Sequence, residues 1–247
     1  MKVLFLTLLL LFCESLGATV TVASAANVSY ALEELCEDFE KGSGVDVRVV
    51  VGSSGKLTAQ IERGAPFDLF LSADMSYPVR LWKRGFAVSR PRVYAGGSLV
   101  VWSLKGADIS GGVRSLQDGS IGRIAIASVK SAPYGRAAER ALKAAGVYEK
   151  VKSRLVYAES VSQTNRYIVS KVVDAGITAK SVVMSPKMAG KGEYVDVDPS
   201  LYTPIEQGIV ILKHAESGSM EDARRFYNYI FSDRAKAILK KYGYIVE

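Results

Sequence analysis

The chain has 247 residues, 49% hydrophobic and 23% charged, with a formal net charge of +7, one histidine and two cysteines. This balance excludes a disordered chain and suits one large core or two modest ones. The lone histidine argues against a zinc-type metal centre, and Lys and Arg dispersed without interleaved aromatics argue against a nucleic-acid surface, while the basic excess favours a small anionic partner.

In chain order, Lys2 precedes an unbroken apolar run from Val3 to Phe12, and Ser15-Leu16-Gly17 sets small residues at the −3 and −1 positions of a cleavage site. Residues 1–17 therefore read as a cleaved signal peptide, which places the mature chain in a periplasmic or other extracytoplasmic compartment. The run is too short to span a bilayer, and no later segment approaches the roughly 20 apolar residues that spanning requires. Bulky Phe12 stands where a lipoprotein signal carries a small residue, so Cys13 is expected to leave with the signal. Cys36 then remains alone, flanked at helical spacing by Leu32, Leu35 and Phe39, as a small buried hydrophobe.

Thr19 to Ala23 alternates as a strand, and Asn27 precedes a helical pattern through Tyr30, Leu32, Leu35 and Phe39 that stops at Gly42. Val45 to Val51 is the next strand. It runs into Gly52-Ser53-Ser54-Gly55-Lys56, after which Leu57 and Ile61 continue a helix to near Gly64. Leu69-Phe70-Leu71-Ser72 is a short central strand, and a helix through Val79, Leu81 and Trp82 follows it. Gly96-Gly97 reads as a hinge before the strand Leu99 to Trp102.

A second series begins with the strand Ile124 to Ala127, the turn Ser131 to Gly135, and a helix through Ala138, Leu142 and Ala145. The strand Leu155 to Tyr157, the turn Glu159 to Ser162, and a helix through Tyr167, Ile168 and Val172 come next. Tyr194 to Val197 and Ile209 to Leu212 are further strands, and two helices close the chain. Alternating strands and helices of this length predict an α/β fold. Four helices begin at Asn27, Ser54, Tyr134 and Val161, two on each side of Gly96-Gly97. Helix N-termini offer free N–H groups and positive potential, so two lobes presenting two each could close on one small anion.

Other chemistry fits less well. Gly52 to Lys56 lacks the four-residue spacing and following Ser or Thr of a nucleotide-binding loop. A Ser54 nucleophile would need a base, and His214 lies far along the chain, expected on a surface or loop. The acidic pairs Glu33-Glu34, Glu37-Asp38 and Glu221-Asp222 fall on helix surfaces, and Asp74 suits a helix cap.

Ala25-Ala26-Asn27, Gly52-Ser53-Ser54-Gly55 with Gln60-Ile61 and Gly64-Ala65-Pro66, Leu71-Ser72-Ala73-Asp74, Ala132-Pro133-Tyr134-Gly135 and Pro204-Ile205-Glu206-Gln207 together resemble the ModA family, periplasmic molybdate-binding proteins of ABC importers. The matches run in order over nearly the whole mature chain. The resemblance implies a type II periplasmic-binding-protein fold, two α/β lobes with mixed, mainly parallel sheets joined by two crossover segments. Residues 18–96 plus 207–247 would form lobe 1, and 97–206 lobe 2.

It implies a non-enzymatic receptor that holds molybdate or tungstate through Asn27, with Ala26 beside it, Ser54, Tyr134 and Val161, the last two through backbone N–H groups. The metal would be met only through its oxygens, with no direct ligation and no cofactor. The enteric branch carries serine at the position of Asn27 and a ligand-binding tyrosine near Ala179, whereas this chain resembles the asparagine-containing branch. Expected partners are the small oxyanion and a membrane-embedded ABC permease; the chain itself is expected to be a monomer without nucleic acid. Alternatives are a same-fold receptor for another oxyanion such as sulfate, a hydrolase using Ser54, and an effector domain of a transcription factor. Lys56 is expected to point to solvent or to add only a background field.

Overall fold

The β-branched and apolar runs form two five-stranded sheets, each covered by helices. The computed structural model describes residues 19–247. The signal-peptide expectation, with Lys2, Val3 to Phe12, Cys13 and Ser15 to Gly17, lies outside them. Among the described residues, no helix is long and apolar enough to cross a membrane.

The chain begins with β1 (Val20–Ala25), α1 (Ser29–Ser43), β2 (Val47–Gly52), α2 (Ser54–Glu62), β3 (Leu69–Ser72) and α3 (Ser76–Lys83). It continues through β4 (Arg92–Gly97), β5 (Leu99–Ser103), β6 (Ile124–Ala127), α4 (Pro133–Ala144), α5 (Tyr148–Val151), β7 (Leu155–Ala158), α6 (Val161–Val169), β8 (Ala175–Ala179) and α7 (Lys180–Val183). The last elements are β9 (Glu193–Asp196), β10 (Ile205–Ile211), α8 (Met220–Tyr229) and α9 (Asp233–Lys241).

The sheets have the strand orders β2-β1-β3-β10-β4 and β7-β6-β8-β5-β9. In each, a parallel trio is extended by one antiparallel strand and, beyond it, a further strand that runs with the trio, because β10 runs against β3 and β4, and β5 against β8 and β9. Each sheet is thus mixed and mainly parallel, as expected. The extra strands are those that carry the chain between lobes: β4 is followed at once by β5, and β9 by the segment leading to β10. Placing the parallel trios side by side brings the carboxyl ends of β1, β2, β6 and β7 to the cleft, where open α/β sheets hold ligands.

Burial follows the pattern of the sequence. Central β3 is buried throughout, and β1 at every position but Thr21, whereas Arg48 and Val51 of edge strand β2 are exposed. Leu32, Leu35 and Phe39 of α1 lie against the first sheet with Phe226 of α8, and removing such side chains from water contributes about 1.5–3 kcal/mol each. Cys36 is buried on the same helix face, and burial pushes its thiol up to about 12. The core of the second lobe also takes in Ala25, Ala26 and Ala73 from the strand ends of the first. Small residues there let the lobes approach.

Gly96-Gly97, expected as a hinge, ends strand β4 just before the chain crosses to β5, with Ile205 opposite Gly97 in β10 and Gly96 bridged to Ile245. Glycine is required by crowding: a Cβ on Gly97 would lie 2.1 Å from the Tyr134 hydroxyl and 2.6 Å from Gln207 Nε2.

Candidate functional site

Each expected site residue follows a strand at the cleft. Ala26 and Asn27 form the turn between β1 and α1; Gly52 ends β2, and Ser53 precedes Ser54 at the start of α2. In the second lobe Pro133 opens α4 with Tyr134 next, its fixed φ suited to a first helical position, and Val161 opens α6. Ser160 caps α6 by accepting from Gln163 N–H at 3.3 Å, and Gln163 Oε1 accepts from Glu159 N–H at 2.6 Å, a pairing readable in the Ser-x-x-Gln spacing. The helix expected to begin at Asn27 begins at Ser29, because a turn closed by Val28 N–H to Ala25 O leaves Asn27 just outside it.

Asn27, Ser54, Tyr134, Val161 and Ala26 are all 4% exposed or less. The backbone N–H groups of Asn27, Ser54, Tyr134 and Val161 have no hydrogen-bond partner among the described residues. For the three helical ones this follows from position, since a first-turn amide has no acceptor four residues back. Ser54 Oγ accepts from Ala73 N–H at 3.0 Å, which leaves its own proton free to donate. The Ser53 hydroxyl is buried with no partner.

Direct bonds across the cleft bring the four turns together. Gly55 N–H donates to Ser131 O at 2.9 Å, Ser181 Oγ donates to Asn27 O at 2.7 Å, and Lys56 meets Glu159 at 2.6 Å. Lys56 is exposed, as expected, but it is also paired, and its partner sits two residues before Val161. Asp74 accepts from Ser76 Oγ and from Tyr77 N–H near the start of α3, as a cap would, and also holds Arg136 of the other lobe at 2.5 Å. The charges nearest the site are thus paired, and the site itself carries none.

Behind these turns lies a polar cluster. Asn27 Nδ2 donates to Gln207 Oε1 at 2.8 Å and to the Tyr244 hydroxyl at 2.9 Å, while Gln207 Nε2 donates to the Tyr134 hydroxyl at 3.3 Å. Tyr244 also donates to Asn27 O at 3.0 Å. Burial raises the hydroxyls of Tyr134 and Tyr244 above the ordinary tyrosine range, so both stay protonated. Sequence reasoning gave no role to Gln207, Tyr244 or Ser181. Gln207 sits in the Pro204-to-Gln207 motif, so a signal existed for it; nothing near Tyr244 marked it.

Other candidate chemistries separate from the cleft. His214 Nδ1 lies 2.9 Å from Asp68 Oδ1, and Asp68 also accepts from Thr21 N–H and Ser219 Oγ. Asp68 precedes β3, at the opposite end of the sheet from Ser54, so no histidine serves that serine. Ser219 bonds the carboxylate and not the imidazole, which is not the order of a nucleophilic triad. Among the described residues no group of His, Cys, Asp and Glu could hold a metal ion.

The family model for bacterial extracellular solute-binding proteins matches residues 20–245. The chain is 34% identical over 236 residues to the molybdate-binding protein ModA of Azotobacter vinelandii, covering 95% of this chain and 93% of the relative. It is 36% identical over 230 residues to the protein of that name from Rhodobacter capsulatus, covering 92% and 88%. The solved periplasmic molybdate-binding protein of Azotobacter vinelandii superimposes with a TM-score of 0.86 at 33% identity, over 92% of this chain and 99% of that one.

Proposed function

Since the chain belongs to the bacterial extracellular solute-binding proteins, and within them to the ModA family, we propose that it captures molybdate between its lobes and delivers it to an ABC permease. Tungstate, the same shape and charge, is a second ligand of the same site. The family is one of receptors and not of enzymes, so the Ser54 hydroxyl is a donor and not a nucleophile.

The observation that carries this reading is that the backbone N–H groups of Asn27, Ser54, Tyr134 and Val161 are buried without partners among the described residues, on turns that the Gly55–Ser131 and Lys56–Glu159 contacts join across the cleft. A dianion needs donors, and helix N-termini supply them together with favourable potential. Hydrogen bonds to a charged group contribute about 1.5–3 kcal/mol each. Five to seven of them, less the cost of closing and desolvating, correspond to dissociation constants on the order of nanomolar to micromolar. A cleft offering only donors leaves the proton of hydrogen phosphate without an acceptor, and sulfate, smaller than molybdate, is discriminated by fit.

The lobes, residues 18–96 with 207–247 and residues 97–206, open and close about the β4–β5 and β9–β10 connections, and the protein works as a monomer outside the cytoplasmic membrane after its signal is removed. Asn27 takes the place that serine holds in the enteric branch, with Ala179 supplying no tyrosine hydroxyl to the ligand. Calorimetric titration with molybdate, tungstate and sulfate tests the assignment. Micromolar or tighter binding of the first two with weak sulfate binding is expected; tight sulfate with weak molybdate would reassign the receptor, and no heat with any of them would end the reading.

A further inference from the structure

Gln207 is wholly buried in β10, and its amide lies between Asn27 of the first lobe and Tyr134 of the second. Two hydrogen-bonding capacities beside this amide are unused among the described residues. Asn27 Oδ1 is buried with no partner, although both Nδ2 protons are taken by Gln207 and Tyr244. The buried Tyr134 hydroxyl accepts from Gln207 Nε2 but donates to nothing among the described residues. An acceptor is the wrong atom to leave free beside an oxyanion.

One movement resolves both. If the amides of Asn27 and Gln207 each turn by half a revolution, which exchanges oxygen and nitrogen with almost no change of shape, Gln207 Nε2 donates to Asn27 Oδ1. Tyr134 then donates to Gln207 Oε1, and Tyr244, whose proton now goes to Asn27 O or Ser181 Oγ, donates to Asn27 Oδ1. Ser181 keeps its bond to Asn27 O. The protein contacts given up are the Tyr244 donation to Asn27 O or Ser181 Oγ, exchanged for the one to Asn27 Oδ1, and the 3.5 Å approach of Gln207 Nε2 to Ile205 O, the longest in the cluster. Asn27 Nδ2 becomes the free end, able to donate.

Resting on the molybdate reading above, we propose that Gln207 is a positioning residue that sets which end of the Asn27 amide meets the oxyanion, the two amides turning over together. The relay ties the Asn27 side chain in one lobe to the Tyr134 hydroxyl in the other, next to the Tyr134 N–H that is itself a contact. Gln207 thereby acts on affinity without touching the ligand.

Calorimetry and side-chain amide spectra separate this from a merely structural role. Wild-type protein is titrated with molybdate while the Asn27 NH2 pair, assigned by its loss in Asn27→Ser, is followed by ¹H–¹⁵N NMR. The Asn27 and Gln207 pairs should both shift, and the Asn27 protons should exchange more slowly at saturation. Gln207→Met should lower molybdate affinity about ten-fold, and should add nothing further in the Asn27→Ser background, as residues acting through one another do. Tyr134→Phe, which keeps the backbone N–H and the ring, provides a milder variant with a loss of the same kind. Molybdate binding with an unmoved Asn27 pair, or losses from Gln207→Met and Asn27→Ser that simply multiply, would overturn the relay while leaving the receptor intact. Absence of molybdate binding by the wild-type protein would remove the reading on which it rests.

Discussion

Lys56 Nζ and Glu159 Oε1 meet at 2.6 Å across the cleft, two residues after Ser54 and two residues before Val161. The pair joins the first turn of one helix to the approach of another from the opposite lobe, so it exists only while the lobes are together. Both side chains are more than half exposed, and such pairs contribute about 0.2–1 kcal/mol.

Ser54→Ala and Lys56→Ala should therefore weaken molybdate binding very differently. On the proposed contact, loss of the Ser54 hydroxyl removes a hydrogen bond to a dianion, worth about 10- to 150-fold in affinity. It also leaves Ala73 N–H without its acceptor, so the melting temperature should fall. Lys56→Ala should cost less than about five-fold and act through faster release. Equal losses in calorimetry would mean that the positive charge, not the hydroxyl, holds the ligand.

Gly55→Ala should separate folding from closure. A Cβ there would stand 2.7 Å from the Tyr77 hydroxyl and 3.0 Å from Ser131 Cα and O of the other lobe. Alanine suits the helix in which Gly55 sits, so the melting temperature without ligand should hold or rise slightly. Closure must accommodate the methyl group, and overpacking of about 1–3 kcal/mol predicts roughly 5- to 150-fold weaker binding. A variant that binds normally would show that the Gly55–Ser131 contact is not part of the bound form.

Binding and stability should respond to pH independently. The tyrosines behind the site keep their protons because burial raises them, so molybdate affinity should change by less than about two-fold between pH 7 and 9. Acid stability is set elsewhere. Hydrogen bonds from Arg80, helped by Arg84, hold the Glu62 carboxyl below the ordinary range. A depressed folded value stabilises the fold above the unfolded value near about 4.3, and this contribution is lost as pH falls through the folded one. Melting temperatures from pH 7 to 3 should drop at the acid end, and Glu62→Gln should start lower at pH 7 and drop less steeply. Parallel curves would assign the acid loss to other carboxylates.

Cys36 should resist modification. With its thiol raised to about 12 by burial, almost no thiolate is present at pH 8. A thiol reagent should react within minutes in denaturant and far more slowly, at the rate of local opening, in the native protein. Rapid native labelling would mean that α1 separates readily from the sheet.

Much of this was legible from local pattern. Three of the four strand–turn–helix units were placed to within a residue because β-branched runs, a small polar turn and helical spacing agree there. Asn27 was displaced because a turn, stabilised by Val28 N–H and by Ser29 Oγ on Ala26 O, delays the helix by two residues. Strand β8 went unseen because Ala175-Gly176-Ile177-Thr178-Ala179 is short, and Gly176 beside alanine gives little strand signal. The two sheets share the order of their parallel trios, β2-β1-β3 and β7-β6-β8, without a sequence repeat to detect. Gly97 is also required by the neighbouring Tyr134 and Gln207, which only tertiary structure brings there. Tyr244 reaches Asn27 from 217 residues away, and no local rule carries such a pairing.

Strand β10 lies between β3 and β4, whereas the second sheet is built wholly from the continuous stretch between β5 and β9. A growing chain of about 200 residues thus carries every strand of the second lobe and a gap in the middle of the first, and domains made first tend to fold first. The second lobe can mature while the first is still missing its fourth strand. Gln207 and Tyr244 arrive with that late segment, so capture of an oxyanion begins only when nearly the whole polypeptide has emerged.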